Sequence, residues 1–161
     1  MKILIGVDGS PCSDAALSHV AQSIWPAQAS FLVLSAVPPV FIGPGEVGPH
    51  VLSELIGQQK EYHRGIAERA AARLARAGLK VTARATYGDP RTILEETARS
   101  ERVDLMVVGS HGRSGIKKLL LGSVAGHVVM HAPCPVLVVK MPAPSVDRTE
   151  RKTAVRVAMP V

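Results

Sequence analysis

Short apolar runs alternate with stretches of helical periodicity along this chain. Residues 3–7 (ILIGV) make the first apolar run, short and sharply bounded as a buried strand requires. Asp8-Gly9-Ser10-Pro11 then turns the chain, with Ser10 a favoured N-cap and Pro11 suited to the first helical position. The helix predicted next places Leu17, Val20, Ala21 and Ile24 on one face at 3.6 spacing. Residues 31–37 (FLVLSAV) read as a second strand, and 38–50 (PPVFIGPGEVGPH) hold too much Pro and Gly for helix or strand. A long helix is predicted from about Leu52 to Ala77, with Leu52, Leu55, Ile56, Ile66, Ala70 and Leu74 inward and Gly78 as its stop.

The second half repeats the pattern. Leu79, Val81, Ala83, Ala85 and Tyr87 alternate as a third strand, and Asp89-Pro90 opens another helix by the same cap logic. Residues 105–108 give a fourth strand, Ser123 to about His131 a fourth helix, and Val136 to Lys140 a fifth strand after Pro135. Regular β-α alternation with short connections predicts an α/β, doubly wound, open five-stranded parallel sheet with helices on both faces, a Rossmann-like fold. One domain is expected over 1–140. The tail, 141–161, falls outside the pattern: its charged part is expected to be mobile, while Val155, Val157, Met159 and Val161 alternate like one more edge strand.

Composition fits that architecture. Hydrophobic residues make up 47% of the 161 and aromatics only 3%, so the core must be aliphatic, as in buried parallel sheets. The net charge is +6, which suits a small anionic ligand. The stacking aromatics of single-strand binders are scarce, so nucleic acid is not the expected partner. Cys12 and Cys134 form neither a disulfide framework nor a CxxC pair. Asp8 interrupts the N-terminal apolar run before a leader could form, and no stretch reaches membrane-span length, so a cytoplasmic protein is expected.

The chemistry gathers at two strand ends. One is Asp8-Gly9-Ser10. The other is Gly109-Ser110-His111-Gly112-Arg113-Ser114-Gly115, leading on to Gly122-Ser123-Val124. Open parallel sheets bind ligands beyond the carboxyl ends of their strands, where strand order reverses. Gly109 and Gly112 are expected to let a ligand approach the backbone closely. Gly122 and Ser123 sit where a helix begins and its orphan N–H groups point outward. Arg113, Lys117 and Lys118 add positive charge, and Asp8 offers an acceptor for ribose hydroxyls. The whole suits a phosphorylated nucleoside.

These residues resemble a known family. Gly109-x2-Gly112-x9-Gly122-Ser123 matches the nucleotide motif of the ATP-binding universal stress proteins. The likeness extends over 1–140 through the strand ending in Asp8, Gly88-Asp89-Pro90, the run from Asp104 to Gly112, and Ala-Pro-Cys134-Pro-Val-Leu-Val-Val. The resemblance implies an adenine-nucleotide alpha-hydrolase-like fold. It also implies ATP with Mg2+ or Mn2+: Asp8 on the ribose, the Ala36 backbone on the adenine, Gly109 and Gly112 along ribose and phosphates, and Gly122, Ser123 and Val124 on the phosphate tail. It further implies a homodimer through the last strand, Val136 to Lys140, and a stress-response role with an unknown protein partner. The family often has His where this chain has Ser35.

Other signals read more plainly. Gly43-Pro44-Gly45-Glu46-Val47-Gly48 fits GxGxxG but follows the second strand and is broken by prolines, so it is not a dinucleotide fingerprint. The Walker spacing is absent, and Asp8 lacks the clustered acids of a phosphoacceptor domain. His127 and His131, one turn apart, could hold a metal but read as ordinary helix histidines. Cys12 in a first helical turn could be a redox thiol but reads as a packed residue. His111 and Asp8 are the only candidates for hydrolytic roles, so slow or no hydrolysis is expected, without a catalytic set. A true ATPase or autokinase, and an interaction module taking AMP, cyclic AMP or nothing, are the rival classes.

Overall fold

The computed structural model describes residues 1–39, 48–113 and 121–141. The predicted extra strand and mobile part of the tail, the body of the GxGxxG-like stretch, Ser114, Gly115, Lys117 and Lys118 lie outside them. Among the described residues, strands and helices alternate: β1 (Lys2–Gly6), α1 (Pro11–Gln22), β2 (Ser30–Val37), α2 (Pro49–Arg76), β3 (Lys80–Tyr87), α3 (Pro90–Ser100), β4 (Leu105–Gly109), α4 (Ser123–His131) and β5 (Val136–Val139). The strands form one sheet in the order β3-β2-β1-β4-β5, every pair parallel. This is the doubly wound, Rossmann-like fold that the alternation predicts.

Strand residues alternate between two core layers, one on each face of the sheet. Ile3, Ile5, Val33 and Val107 meet Leu17 and Val20 of α1 and Ile66 and Leu74 of α2. Leu4, Leu32, Leu34, Met106 and Val108 meet Leu94 and Ala98 of α3 and Ala125 and Val128 of α4. Burying each large aliphatic side chain contributes about 1.5–3 kcal/mol relative to exposure. The central strands must therefore be apolar on both sides, and β1 is.

Local signals place the helix ends. Ser10 Oγ accepts from Ser13 N at 3.2 Å to cap α1, and Asp89 Oδ1 accepts from Arg91 N at 2.8 Å to cap α3. Gly78 ends α2 with φ +83°; its N–H donates to Ala75 O and the Leu79 N–H to Leu74 O. That is a Schellman closure, which needs the left-handed residue that glycine supplies.

Two helical expectations are corrected. Ile24, expected inward on α1, is fully exposed (100%) because the helix stops at Gln22. Trp25 takes the inward place instead: its Nε1 donates to Val20 O at 2.8 Å and its ring meets Phe31 edge-on. On α2, Ile66, Ala70 and Leu74 are buried as expected, but Leu55 is exposed and Leu52 and Ile56 only half-buried. The cause is length. Twenty-eight helical residues span about 42 Å, against about 26 Å for an eight-residue strand, so the first turns overhang the sheet. That helix also starts at Pro49, inside the stretch read as loop, where proline is tolerated at a first-turn position.

Glu101, the residue after α3, ties the central strand β1 to the edge strand β3. It accepts from Lys2 Nζ at 2.6 Å and Arg84 at 2.7 Å, and these two bonds hold its carboxyl down at about 2. The stabilisation is complete above the unfolded carboxylate's ordinary range and is lost as pH falls through about 2. Urea unfolding of Glu101→Gln should therefore show a stability deficit at pH 7 that shrinks steadily below pH 4.

Candidate functional site

The strand order reverses between β1 and β4, which puts the switch point at their carboxyl ends. A cleft of about 420 Å³ opens there, within the usual range for small-molecule sites, about 300–1,000 Å³. Asp8, Ala36, Gly109, Gly112, Arg113, Gly122, Ser123 and Val124 all line it. The fold thus brings these eight candidates together, while Lys117 and Lys118 lie outside the described residues.

Ala36 is placed by ladder geometry. Leu34 O accepts from Val7 N at 2.9 Å, toward β1, whereas Val37 O accepts from Gly88 N at 2.9 Å on the β3 side. Alternate residues of a strand direct their backbone groups to opposite neighbours, so Ala36, two beyond Leu34, faces the β1 side. β1 ends at Gly6 and offers no strand residue beside Ala36, so the Ala36 N–H and C=O face the cleft that the residue lines. A donor beside an acceptor matches the edge of a heterocyclic base that carries the complementary pair.

On the far side of β1 the cleft is walled by the start of α4. No side chain caps this helix, unlike α1 and α3. Its first intrahelical donor is Gly126 N, to Gly122 O at 2.8 Å. The first-turn N–H groups of Ser123, Val124 and Ala125 have no acceptor within the helix, and all three residues line the cleft. With the positive end of the helix dipole behind them, they favour an anion.

Packing gives Gly109 and Gly112 a further reason, and Gly122 departs from the expectation. A Cβ on Gly109 would lie 2.6 Å from the backbone carbonyl carbon of Cys12 and 2.8 Å from Ser13 N, so Gly109 lets α1 cross close over β4. A Cβ on Gly112 would meet Asp8 Oδ2 at 2.8 Å. The Gly122 N–H does not point outward; it donates to Ser110 O at 2.8 Å and closes the base of the loop.

Asp8 fastens the two strand ends together. Its Oδ1 accepts from Ser10 N at 2.9 Å and its Oδ2 from Arg113 N at 3.1 Å. Each carboxylate oxygen can accept another bond, so the residue keeps capacity for a ligand hydroxyl. The Arg113 guanidinium lies over the Tyr62 ring at 5.8 Å. His111 meets Ser110 Oγ through Nδ1 at 3.2 Å, and its carbonyl accepts from Ser10 Oγ at 3.3 Å.

Two polar cleft residues escaped the sequence reading. Ser13 and His63 are buried (3% and 1% exposed), and both line this cleft. Ser13 Oγ and His63 Nε2 are the buried side-chain polar atoms that lack a hydrogen-bond partner among the described residues. Leaving such an atom unpaired costs about 1–3 kcal/mol, a cost that a polar ligand would remove. His63 could have been found: it lies three residues before Ile66, a polar residue on the inward stripe of α2. Burial and the Arg113 charge lower its pKa, with Asp8 opposing.

The histidine pair on α4 has other employment. His127 Nε2 meets Glu95 Oε2 at 3.2 Å, His131 Nδ1 meets the His127 carbonyl at 2.9 Å, and the rings stack at 4.3 Å. No cluster of three or more potential metal ligands occurs among the described residues. Cys134 packs against the second core layer, where burial pushes its thiol pKa up.

Comparison with known proteins agrees with the geometry. The family model described as the universal stress protein family matches residues 1–140. The universal stress protein MJ0531 of Methanocaldococcus jannaschii is 34% identical over 88% of this chain and 82% of its own length. The solved structure of MJ0577 superposes with a TM-score of 0.77 at 29% identity, covering 89% of this chain and 97% of that one. A universal stress protein solved in complex with cAMP superposes with a TM-score of 0.64 at 28% identity, covering 87% and 96%. The sheet order, the cleft at its switch point and these matches together establish that the chain belongs to the universal stress protein family.

Proposed function

We propose that this chain binds an adenine nucleotide, ATP with Mg2+ or Mn2+, as a nucleotide-responsive regulator. The observation that carries this reading is the pairing within one cleft of the Ala36 backbone edge and the uncapped first turn of α4. The base lies at the first, the phosphates at Ser123 and Val124 with Gly122 beneath, and the ribose between them on Asp8, with Gly109, Gly112 and Arg113 forming the adjoining wall. The two orphaned polar atoms fit such a ligand, which is polar along its whole length. A divalent ion would be held mainly by the phosphates and water, as Mg2+ commonly is. The relative solved with cAMP supports the adenine class.

Turnover is slow or absent in this reading. Hydrolysis needs a positioned water, a base and charge stabilisation. Asp8 already holds two backbone N–H groups, and His111 is bonded to Ser110. The regulatory output is nucleotide occupancy that biases a homodimer formed through the β5 edge, or a site for another protein. A cytoplasmic setting accompanies this role; no helix among the described residues is long and apolar enough to cross a membrane.

Calorimetric titration of nucleotide-stripped protein with ATP, AMP and cyclic AMP, each with and without Mg2+, tests this. ATP should bind tightest, and only with the metal present should it exceed AMP clearly. Preference for cyclic AMP would replace ATP as the ligand, and silence with all three would end the nucleotide reading. Steady turnover abolished by Asp8→Ala with binding retained would make the chain an enzyme.

A further inference from the structure

We infer that His63 is a ligand-contacting residue at the nucleoside end of the cleft, its Nε2 hydrogen-bonding the bound base or ribose. The inference rests on the nucleotide reading above and adds a residue to it. Nδ1 of His63 lies 2.8 Å from Ser35 Oγ, on the residue just before Ala36. The Tyr62 ring meets the imidazole edge-on at 5.4 Å. The ring is therefore held from two sides, and Nε2 is the nitrogen left over. That atom is buried and without a partner among the described residues, in a side chain that lines the cleft.

Position selects which part of the ligand it meets. His63 docks on β2, whereas the first turn of α4 stands beyond β4, and β1 separates the two strands. Two strand spacings are about 10 Å, so a group on the β2 side reaches base or ribose while the phosphates lie at α4. Charge agrees. Arg113 and Asp8 are the charged groups that act on the ring, and burial with Arg113 outweighs Asp8 and favours the neutral form. A neutral imidazole offers one donor or one acceptor at Nε2. That suits an uncharged base edge or hydroxyl better than a phosphate. Ser35 acts as the positioning residue, since its bond to Nδ1 decides which role Nε2 takes.

The test uses the full chain. The imidazole 15N signals of the wild type are followed during titration with AMP. Nε2 of His63 should move to a saturated position while Nδ1, still bonded to Ser35, stays nearly fixed. His63→Phe should weaken AMP and ATP alike by about tenfold, with part of the loss restored in His63→Gln. An unmoved Nε2 signal while AMP binds the wild type overturns the assignment and leaves the nucleotide site standing. So does a loss confined to ATP, which would put the contact on phosphate. If the wild type binds neither nucleotide, the nucleotide reading falls and takes this assignment with it.

Discussion

Replacing Gly109 with alanine should lower the unfolding free energy by about 3 kcal/mol, the upper part of the range for overpacking. The reason is which atoms stand in the way. The new methyl would lie 2.6 Å from the Cys12 carbonyl carbon, 2.7 Å from its oxygen and 2.8 Å from Ser13 N. These are backbone atoms of the first turn of α1, and they cannot turn aside as a side-chain tip could. Relief requires α1 to lift from β4, which loosens the packing of Ala16 and Leu17 on Val107. A domain of this kind has only about 5–15 kcal/mol of stability in total, so the variant should unfold at visibly lower urea. A change under about 0.5 kcal/mol would show that α1 does not press on the strand end as described.

Gly122→Val should leave the fold nearly intact and reduce ATP affinity by a factor of about 10–100. Gly122 has φ −67°, which any residue adopts. An added Cβ meets His111 Cα at 3.2 Å and Ser110 O at 3.3 Å, tight but not prohibitive. The valine methyl groups then crowd the Ser110–Gly112 backbone, which borders the cleft next to the first turn of α4. Phosphate oxygens kept from those N–H groups lose charge-assisted bonds worth about 1.5–3 kcal/mol, and every 1.4 kcal/mol is about tenfold in affinity. Calorimetry of the variant, beside a thermal melt that shows the fold retained, checks both halves. Wild-type affinity in a folded Gly122→Val protein would move the phosphates away from α4.

Much of the architecture is legible in the sequence because β1, β2 and β4 are covered on both faces and must be continuous apolar runs. Their punctuation is equally local: Ser10-Pro11, Asp89-Pro90 and Gly78 act through neighbours only a few residues away. What failed depends on distant partners. Ile24 has the right period for the inward face, but Trp25 folding back onto Val20 and Phe31 takes the place. Leu55 has it too, but α2 is longer than the sheet is tall.

The candidate site divides in the same way. Its strand–loop–helix spacing is local, and all eight residues drawn from it and from the family resemblance reach one cleft. The reasons for the glycines are not local. The backbone that Gly109 must clear lies in α1, and the carboxylate beside Gly112 is that of Asp8. Hidden for the same cause, His63 looks like one more polar residue in a long helix until Ser35, 28 residues earlier, binds its ring.

The most direct test of the central claim is an amide-resolved NMR titration of the nucleotide-stripped wild type with ATP and Mg2+. Saturable shifts are expected at Ala36 on β2 and at Ser123, Val124 and Ala125 on α4, all following one binding curve. Amides at both ends that stay unmoved at millimolar ATP, or shifts gathered elsewhere on the molecule, would contradict that claim.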